Sequence, residues 1–231
     1  MFKLQKNKEH YFKSKYNKLD RFISYFYQVD LITQFAKKSF DSLRQNSGQV
    51  AQDKRGKKIL EIGKGNGFVS DYLKKSGFDI LTFDFDKNLN PDIVGDVREI
   101  NLQENSFDIV TAFEVLEHIP FKDVESVLEK INKITKKYAI ISLPYRSTGF
   151  EFALKFPGIR SVLNREFISF FIRIPLWFKG IESSGQHYWE IDATNHPLGG
   201  IKRLFKRHFR LIKVIRPVLD NYRIFLVLEK K

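Results

Sequence analysis

Three glycines at alternate positions, Gly63, Gly65 and Gly67, follow a glutamate, Glu61, in the run Lys58-Ile-Leu-Glu-Ile-Gly-Lys-Gly-Asn-Gly67. Each glycine removes a Cβ, so the chain can turn sharply and a ligand can lie against the main chain. The spacing is not the Gly-x-Gly-x-x-Gly of a dinucleotide site, because the third glycine comes one residue early and position 68 is Phe. Further on, Asp84 ends a second apolar run. A carboxylate about 20 residues beyond such a turn can accept hydrogen bonds from both hydroxyls of a ribose. Asp86 is the reserve for that role, and a plain turn aspartate is the structural alternative. Glu114, Glu117 and His118 follow a third apolar run, and His187 and Glu190 stand together downstream. Glu117 and His118, with His187, can orient or deprotonate a nucleophile; for Glu117 and His118, loop structure and helix capping are the competing uses. The chain has no cysteine, which excludes disulfides and thiolate metal sites. No metal ligand set is assigned.

These groups need a parallel sheet to bring them together. Ile59–Ile62 reads as a buried strand, Phe68–Ser76 as a helix, and Gly77 as its stop. Asp79–Phe83 is the second strand and Asp92–Val94 a short third. The seven residues 85–91 between them are too few for a helical crossover, so a loop is predicted there. Phe107–Phe113 is the fourth strand. Val124, Val127, Leu128, Ile131 and Ile134 mark an amphipathic helix, and Tyr138–Leu143 the fifth strand. Upstream, residues 8–40 read as helical, with an apolar stripe of Phe12, Tyr16, Leu19, Ile23 and Phe26, and 44–57 as a polar connector. Asn195-His196-Pro197 opens a last helix, capped by Asn195 or His196 and running to about His208. Phe209–Ile215 and Tyr222–Leu228 close the sheet as a hairpin.

The glycine run resembles motif I of the class I S-adenosylmethionine (SAM) methyltransferases. Glu114-Val-Leu-Glu-His-Ile119 resembles the post-strand motif of the superfamily that includes the quinone-biosynthesis O-methyltransferases. The resemblance covers 58–145 by motif and 197–229 by pattern. It implies a Rossmann-like α/β fold with strand order 3-2-1-4-5-7-6 and strand 7 antiparallel. It implies SAM as cofactor, with Glu61 holding the ammonium directly or through water, Asp84 the ribose, and Asp96 and Val97 the adenine. It also places the segment from Glu114 to His118 beside the transferable methyl. Ser142-Leu-Pro-Tyr145 is only superficially like the Asn-Pro-Pro-Tyr motif of amino-methylating DNA enzymes. It follows the wrong strand and lacks the Asn, so the match is rejected.

The 231 residues suit one domain, 1–231, with an N-terminal helical segment (1–57) and an insertion at 146–196. The insertion is rich in Phe and holds both tryptophans, Trp177 and Trp189, among basic residues. Pro157 and Pro175 are expected to divide it into short helices. It leaves the sheet on the cofactor side and is read as a substrate lid, with His187 and Glu190 as second-rank site residues; an aromatic mini-core or a homodimer interface would use the same rings. No apolar run reaches the ~18 residues of a membrane span. The polar, lysine-rich N-terminus has no signal-peptide core, so a cytoplasmic protein is expected. The net charge of +13 suits an anionic partner (nucleic acid, lipid headgroups at a peripheral membrane contact, or an acidic metabolite) and would also follow from a lysine-rich composition. A small-molecule or lipid-linked acceptor is favoured. RNA methylation, or a non-catalytic binding role for the same fold, are the alternatives.

Overall fold

The computed structural model describes residues 18–47, 57–145, 148–159, 161, 167–174, 187–192, 195–220 and 222–231; at 38–47, 148 and 173–174 it describes the backbone alone. A seven-stranded sheet organises them. Its strands are β1 (Lys58–Ile62), β2 (Asp79–Asp84), β3 (Ile93–Val94), β4 (Phe107–Phe113), β5 (Thr135–Pro144), β8 (Phe209–Ile215) and β9 (Arg223–Lys230), in the order β3-β2-β1-β4-β5-β9-β8. Pairing is parallel from β3 to β5, and β9 is antiparallel to both neighbours. With the two strands of the insertion set aside, this is the expected order. The central strands are covered on both faces and accordingly read as near-continuous apolar runs. Ile59, Leu60, Ile109, Val110, Ala139, Ile140, Ile141 and Ile224–Leu228 are all buried.

Two helical layers cover the sheet. On one face lie α3 (Phe121–Ile134), through Val124, Val127, Leu128, Ile131 and Ile134, and α4 (Leu198–His208), through Ile201 and Phe205. On the other lie α1 (Leu19–Ser47) and α2 (Phe68–Lys75). The buried face of α1 differs from the expected stripe: Leu31, Ile32, Phe35 and Ala36 pack inward, while Leu19, Phe22 and Phe26 are exposed. Apolar residues stand on two sides of this helix, and the half over the sheet decides which side is buried. Phe12 and Tyr16 lie outside the described residues. The helix also runs on to Ser47; Arg44 and Gln45, the start of the expected connector, are good helix formers.

Gly77, at φ 87°, ends α2 as expected. Its N–H donates to the Lys74 carbonyl, and that of Phe78 to the Leu73 carbonyl, both at 3.0 Å. Between β2 and β3 the chain makes one 3-10 turn, Lys87–Leu89, and no α-helix. Asp92 fastens this short crossover: its carboxylate accepts from Thr82 N (2.8 Å) and Thr82 Oγ1 (2.7 Å).

The insertion departs from expectation. Its described part is a β-hairpin rather than short helices, with β6 (Thr148–Leu154) antiparallel to β7 (Ile168–Ile174). Alternation explains it. Phe150, Phe152 and Leu154 pair with Ile172, Phe170 and Ile168, so all six rings and branches share one face. The prolines fall outside the strands: Pro157 lies beyond β6, and Pro175 and the segment to residue 186 lie outside the described residues. The chain returns at residues 187–192, where Ile191 bridges Tyr145 and donates to the Pro144 carbonyl at 3.2 Å. The cap of α4 is also corrected. Pro197 is the boundary residue, and Asp192 Oδ1 accepts from Leu198 N at 3.3 Å, in place of Asn195 or His196. No described helix is long and apolar enough to cross a membrane.

Trp189 fixes the returning segment. It is 1% exposed, its indole N–H donates to the Leu116 carbonyl at 3.1 Å, and its ring meets Phe121 edge-on at 5.1 Å. Trp189→Ala should cost about 3–5 kcal/mol in chemical denaturation. Phe170→Ser, on the exposed hairpin face, should change stability by less than ~0.5 kcal/mol.

Candidate functional site

The carboxyl ends of β1, β2 and β4 meet at the glycine turn. All three of its glycines have positive φ: 84° at Gly63, 55° at Gly65 and 77° at Gly67. A Cβ on Gly63 would strike Val115 Cγ2 at 2.4 Å, whereas one on Gly65 would meet nothing within 4 Å. The first glycine therefore serves close packing and the second faces open space. Asn66 and α1 hold the turn from behind: Asn66 Nδ2 donates to the Tyr25 hydroxyl at 2.9 Å, and Tyr25 stacks on Phe68 with ring centroids 4.6 Å apart. Tyr25 was not singled out in the sequence; its signal was only an aromatic on the helix preceding the turn.

Glu61 lies just below. It is 3% exposed, and its Oε2 has no hydrogen-bond partner among the described residues. Burial pushes its carboxyl up to about 8, against an opposing hydrogen bond from Ser70. A buried carboxylate with an unused oxygen beside an open main-chain cradle fits a ligand ammonium. Asp84 is also buried and raised by burial, although the backbone N–H groups of Asp86, Gly65 and Lys64 act to lower it. It thus ties the end of β2 to the glycine turn. Asp86 caps the 3-10 turn by accepting from Asn88 N at 2.9 Å. Asp96 accepts from Arg98 N at 2.9 Å and from the Arg98 guanidinium, which with that N–H holds its carboxyl below the usual range despite partial burial. A ligand amino group at Asp96 would share this carboxylate with Arg98. Val97 is buried beside it.

The second polar group forms at the end of β4. Glu114 has φ 54°, a left-handed conformation rare outside glycine, and its Oε1 accepts from Ser142 Oγ at 2.9 Å. Glu117 is fully buried, neither oxygen has a hydrogen-bond partner among the described residues, and burial, then the charge of Glu114, raises its carboxyl well above the usual range. The rings of His118 and His187 meet edge-on at 4.8 Å, and His187 Nδ1 lies 2.7 Å from Glu190 Oε1. Tyr188 N donates to the Glu117 carbonyl at 2.8 Å, which joins the returning segment to the β4 turn. The structure therefore brings Glu114, Glu117, His118, His187 and Glu190 together, as one cluster next to the glycine turn.

Sequence reading missed the group that balances them. Arg223, at the start of β9, is 2% exposed; its Nη1 is 2.9 Å from Asp220 Oδ2, and its Nε 3.4 Å from Glu114 Oε2, a contact of charges rather than a hydrogen bond. Tyr222 donates to Glu190 Oε1 at 3.2 Å. The available signal was a basic residue heading an otherwise apolar strand, Arg223-Ile-Phe-Leu-Val-Leu.

A family model described as "Methyltransferase domain" matches residues 29–176. Among curated proteins, the chain is 30% identical over 96 residues to a ubiquinone biosynthesis O-methyltransferase of Aliivibrio fischeri, covering 35% of this chain and 40% of that relative. It thus spans less than half the length of the curated relatives it matches. An S-adenosylmethionine-dependent methyltransferase from Mesorhizobium loti superposes with TM-score 0.51 at 13% identity, over 76% of this chain and 91% of that one. The magnesium protoporphyrin IX methyltransferase of Synechocystis with bound S-adenosylhomocysteine gives TM-score 0.50 at 13% identity, over 94% and 97%. At these identities the likeness is one of fold.

The raised Glu61 carboxyl makes a pH prediction. Its folded value exceeds its unfolded one, so its contribution to stability is fully present below about pH 4.5 and lost as pH rises through about 8. Glu61→Gln stays neutral throughout. In the ligand-free protein, the stability of Glu61→Gln relative to wild type should therefore rise between these limits in urea denaturation. A flat difference would contradict the burial assigned to Glu61.

Proposed function

This chain belongs to the methyltransferase-domain family, and on that premise we propose that it moves a methyl group from SAM to an oxygen or nitrogen of a small-molecule or lipid-linked acceptor. The observation that carries the reading is Glu61, a buried carboxylate with an unpartnered oxygen beside the open face of Gly65. In this reading Glu61 holds the cofactor's ammonium, Asp84 the ribose hydroxyls, Asp96 and Val97 the adenine edge, and Glu114 borders the methyl. Phe85, 44% exposed after Asp84, is placed to cover the base. Bound there, SAM supplies a methyl on a sulfonium whose thioether leaves without protonation.

The chain's own part is then to align the acceptor and exclude water. Glu117, His118 and His187 orient the reacting atom. An amine needs only a free lone pair, whereas a hydroxyl must lose its proton. The relatives named O-methyltransferases favour oxygen. The hairpin β6–β7 leaves the end of β5 on this side of the sheet and presents an apolar face, which suits an apolar or ring-bearing acceptor under a lid. A cytoplasmic location follows from the same reading. The net charge of +13 supports a second reading, RNA as acceptor, which would show itself as binding that falls steeply with salt.

Calorimetric titration with SAM, followed by a methyl-transfer screen against metabolite pools, tests the proposal. Gly65→Val should abolish SAM binding while the chain stays folded, at a backbone cost of about 1–2 kcal/mol. Unchanged affinity in that variant refutes the cofactor site. Replacing residues 150–172 by a short flexible linker should keep SAM binding and lose transfer; normal turnover of a found acceptor refutes the lid.

A further inference from the structure

The insertion carries more apolar surface than an acceptor can cover. In the hairpin, alternation puts Phe150, Phe152 and Leu154 on one face with Ile172, Phe170 and Ile168 of the paired strand. Five of these six are exposed, from 46% at Leu154 to 62% at Phe150, as are Phe156 and Phe167 beyond the last pair. Among the described residues, the hairpin is fastened to the body by its opposite face, near its base. There Glu151 Oε2 accepts from Leu219 N at 2.8 Å, and the Arg216 guanidinium lies 3.6 Å from the centroid of the Phe171 ring. Glu151 and Phe171 are one cross-strand pair. Farther out on that opposite face, Ala153 and Ser169 are exposed, so the outer half of the hairpin is open on both sides. A ring-sized acceptor at the cleft would cover only the apolar pair nearest the end of β5, Phe150 and Ile172.

We infer that this face docks on the same face of a second copy of the chain, about a two-fold axis. Area is the first argument. At about 200 Å2 for a whole Phe side chain, the outer pairs and the tip leave roughly 500 Å2 of apolar surface open, and the innermost pair brings this to roughly 700 Å2. Single apolar patches of that size are uncommon on monomers. Two such faces together bury on the order of 1,000–1,400 Å2, which with a polar rim reaches the size of a stable interface. Charge is the second argument. A face that meets its own copy needs no complementary charge. The six positions hold no charged residue, because alternation sends Glu151 to the other side. Each chain carries a net charge of +13, so two copies repel over the rest of their surface and can meet at an uncharged face. Stacked about 10 Å apart, the two hairpins make a four-stranded, two-layered unit. A two-stranded hairpin is marginal alone and gains its cover in this way.

The strand edges favour a second copy over a lipid bilayer. Neither β6 nor β7 pairs with a third strand among the described residues. An open edge carries unpaired N–H and C=O groups, which water satisfies and hydrocarbon does not. In a face-to-face dimer both edges stay in water. The charge also fixes the sign of the salt dependence. Salt screens the repulsion between like-charged copies, so the dimer should tighten as salt is added. Binding of the same chain to anionic lipid or nucleic acid would weaken instead. The surface stands on the hairpin's own residues and is independent of the methyl-transfer reading.

Sedimentation velocity of the full-length protein, from about 1 to 100 μM chain at low and moderate salt, reads the assembly directly. The mass should rise from one chain to two, with a dissociation constant inside this range that falls as salt is added. Phe152→Glu and Phe170→Glu, which each place a charge in the dry face, should each raise that constant more than 100-fold. Ser169→Glu adds the same charge on the opposite face and should leave it within about threefold. Urea denaturation well below the dissociation constant shows whether each variant is folded, because a single chain leaves these rings exposed and should keep its wild-type stability. A wild-type chain that stays single up to about 100 μM overturns the inference. So does a dimer that loosens with salt, or one that survives both Phe152→Glu and Phe170→Glu. Co-sedimentation of a chain that remains single with vesicles of phosphatidylglycerol and phosphatidylcholine would assign the face to a bilayer and overturn it as well.

Discussion

The carboxyl end of this sheet is organised by an imbalance of buried charge. Glu61, Glu117, Glu190 and Asp220 are each under 4% exposed, Asp84 is 6% exposed, and among the described residues Arg223 is the buried cation that faces this group. Removing carboxylates from water without partners is costly, and such groups neutralise, pair or wait for a cation. The local structure follows from that constraint. Asp84 draws in backbone N–H groups from the glycine turn. Glu114 takes a strained left-handed conformation that puts its two oxygens against Ser142 and Arg223. Glu190 gathers His187 and Tyr222. Glu61 and Glu117 are left with oxygens that nothing among the described residues satisfies. A fold selected for stability alone would not keep both; strain and unsatisfied groups concentrate where a protein binds or reacts.

Much of this was legible because it depends on local rules. The glycine spacing announced a sharp turn, and all three glycines make it with positive φ. The apolar runs around residues 60, 110, 140 and 226 could only be strands covered on both faces, and the count of residues between β2 and β3 forbade a helix there. The Glu-Val-Leu-Glu-His segment marked the end of β4, and His187 was placed with it although the two are far apart in sequence.

What could not be read depends on tertiary context. The first helix carries apolar residues on two sides, and only the sheet beneath it decides that Leu31, Ile32, Phe35 and Ala36 go in while Phe22 and Phe26 stay out. The insertion was read from its prolines, whereas its strands lie between them and follow a period of two that the abundance of phenylalanine masks. Arg223 gave least warning. A lone arginine before an apolar strand is ordinary in sequence, and its value comes entirely from where β9 inserts.

That insertion has a consequence for how the chain acquires its structure. β9 pairs with β5 on one side and β8 on the other, so two neighbours widely separated along the chain must accept it. Contacts of long sequence separation form late, because loop-closure entropy is lost before they repay it. The β1–α2–β2–β3 unit, with its short crossover, can assemble from nearby residues. The guanidinium that steadies Glu114 arrives only with β9. The glycine-turn half of the cleft is therefore a local product that can form early. The half around Glu114 and Glu117 is a long-range one, and a nascent chain carries its acidic side chains uncompensated until the sheet has closed.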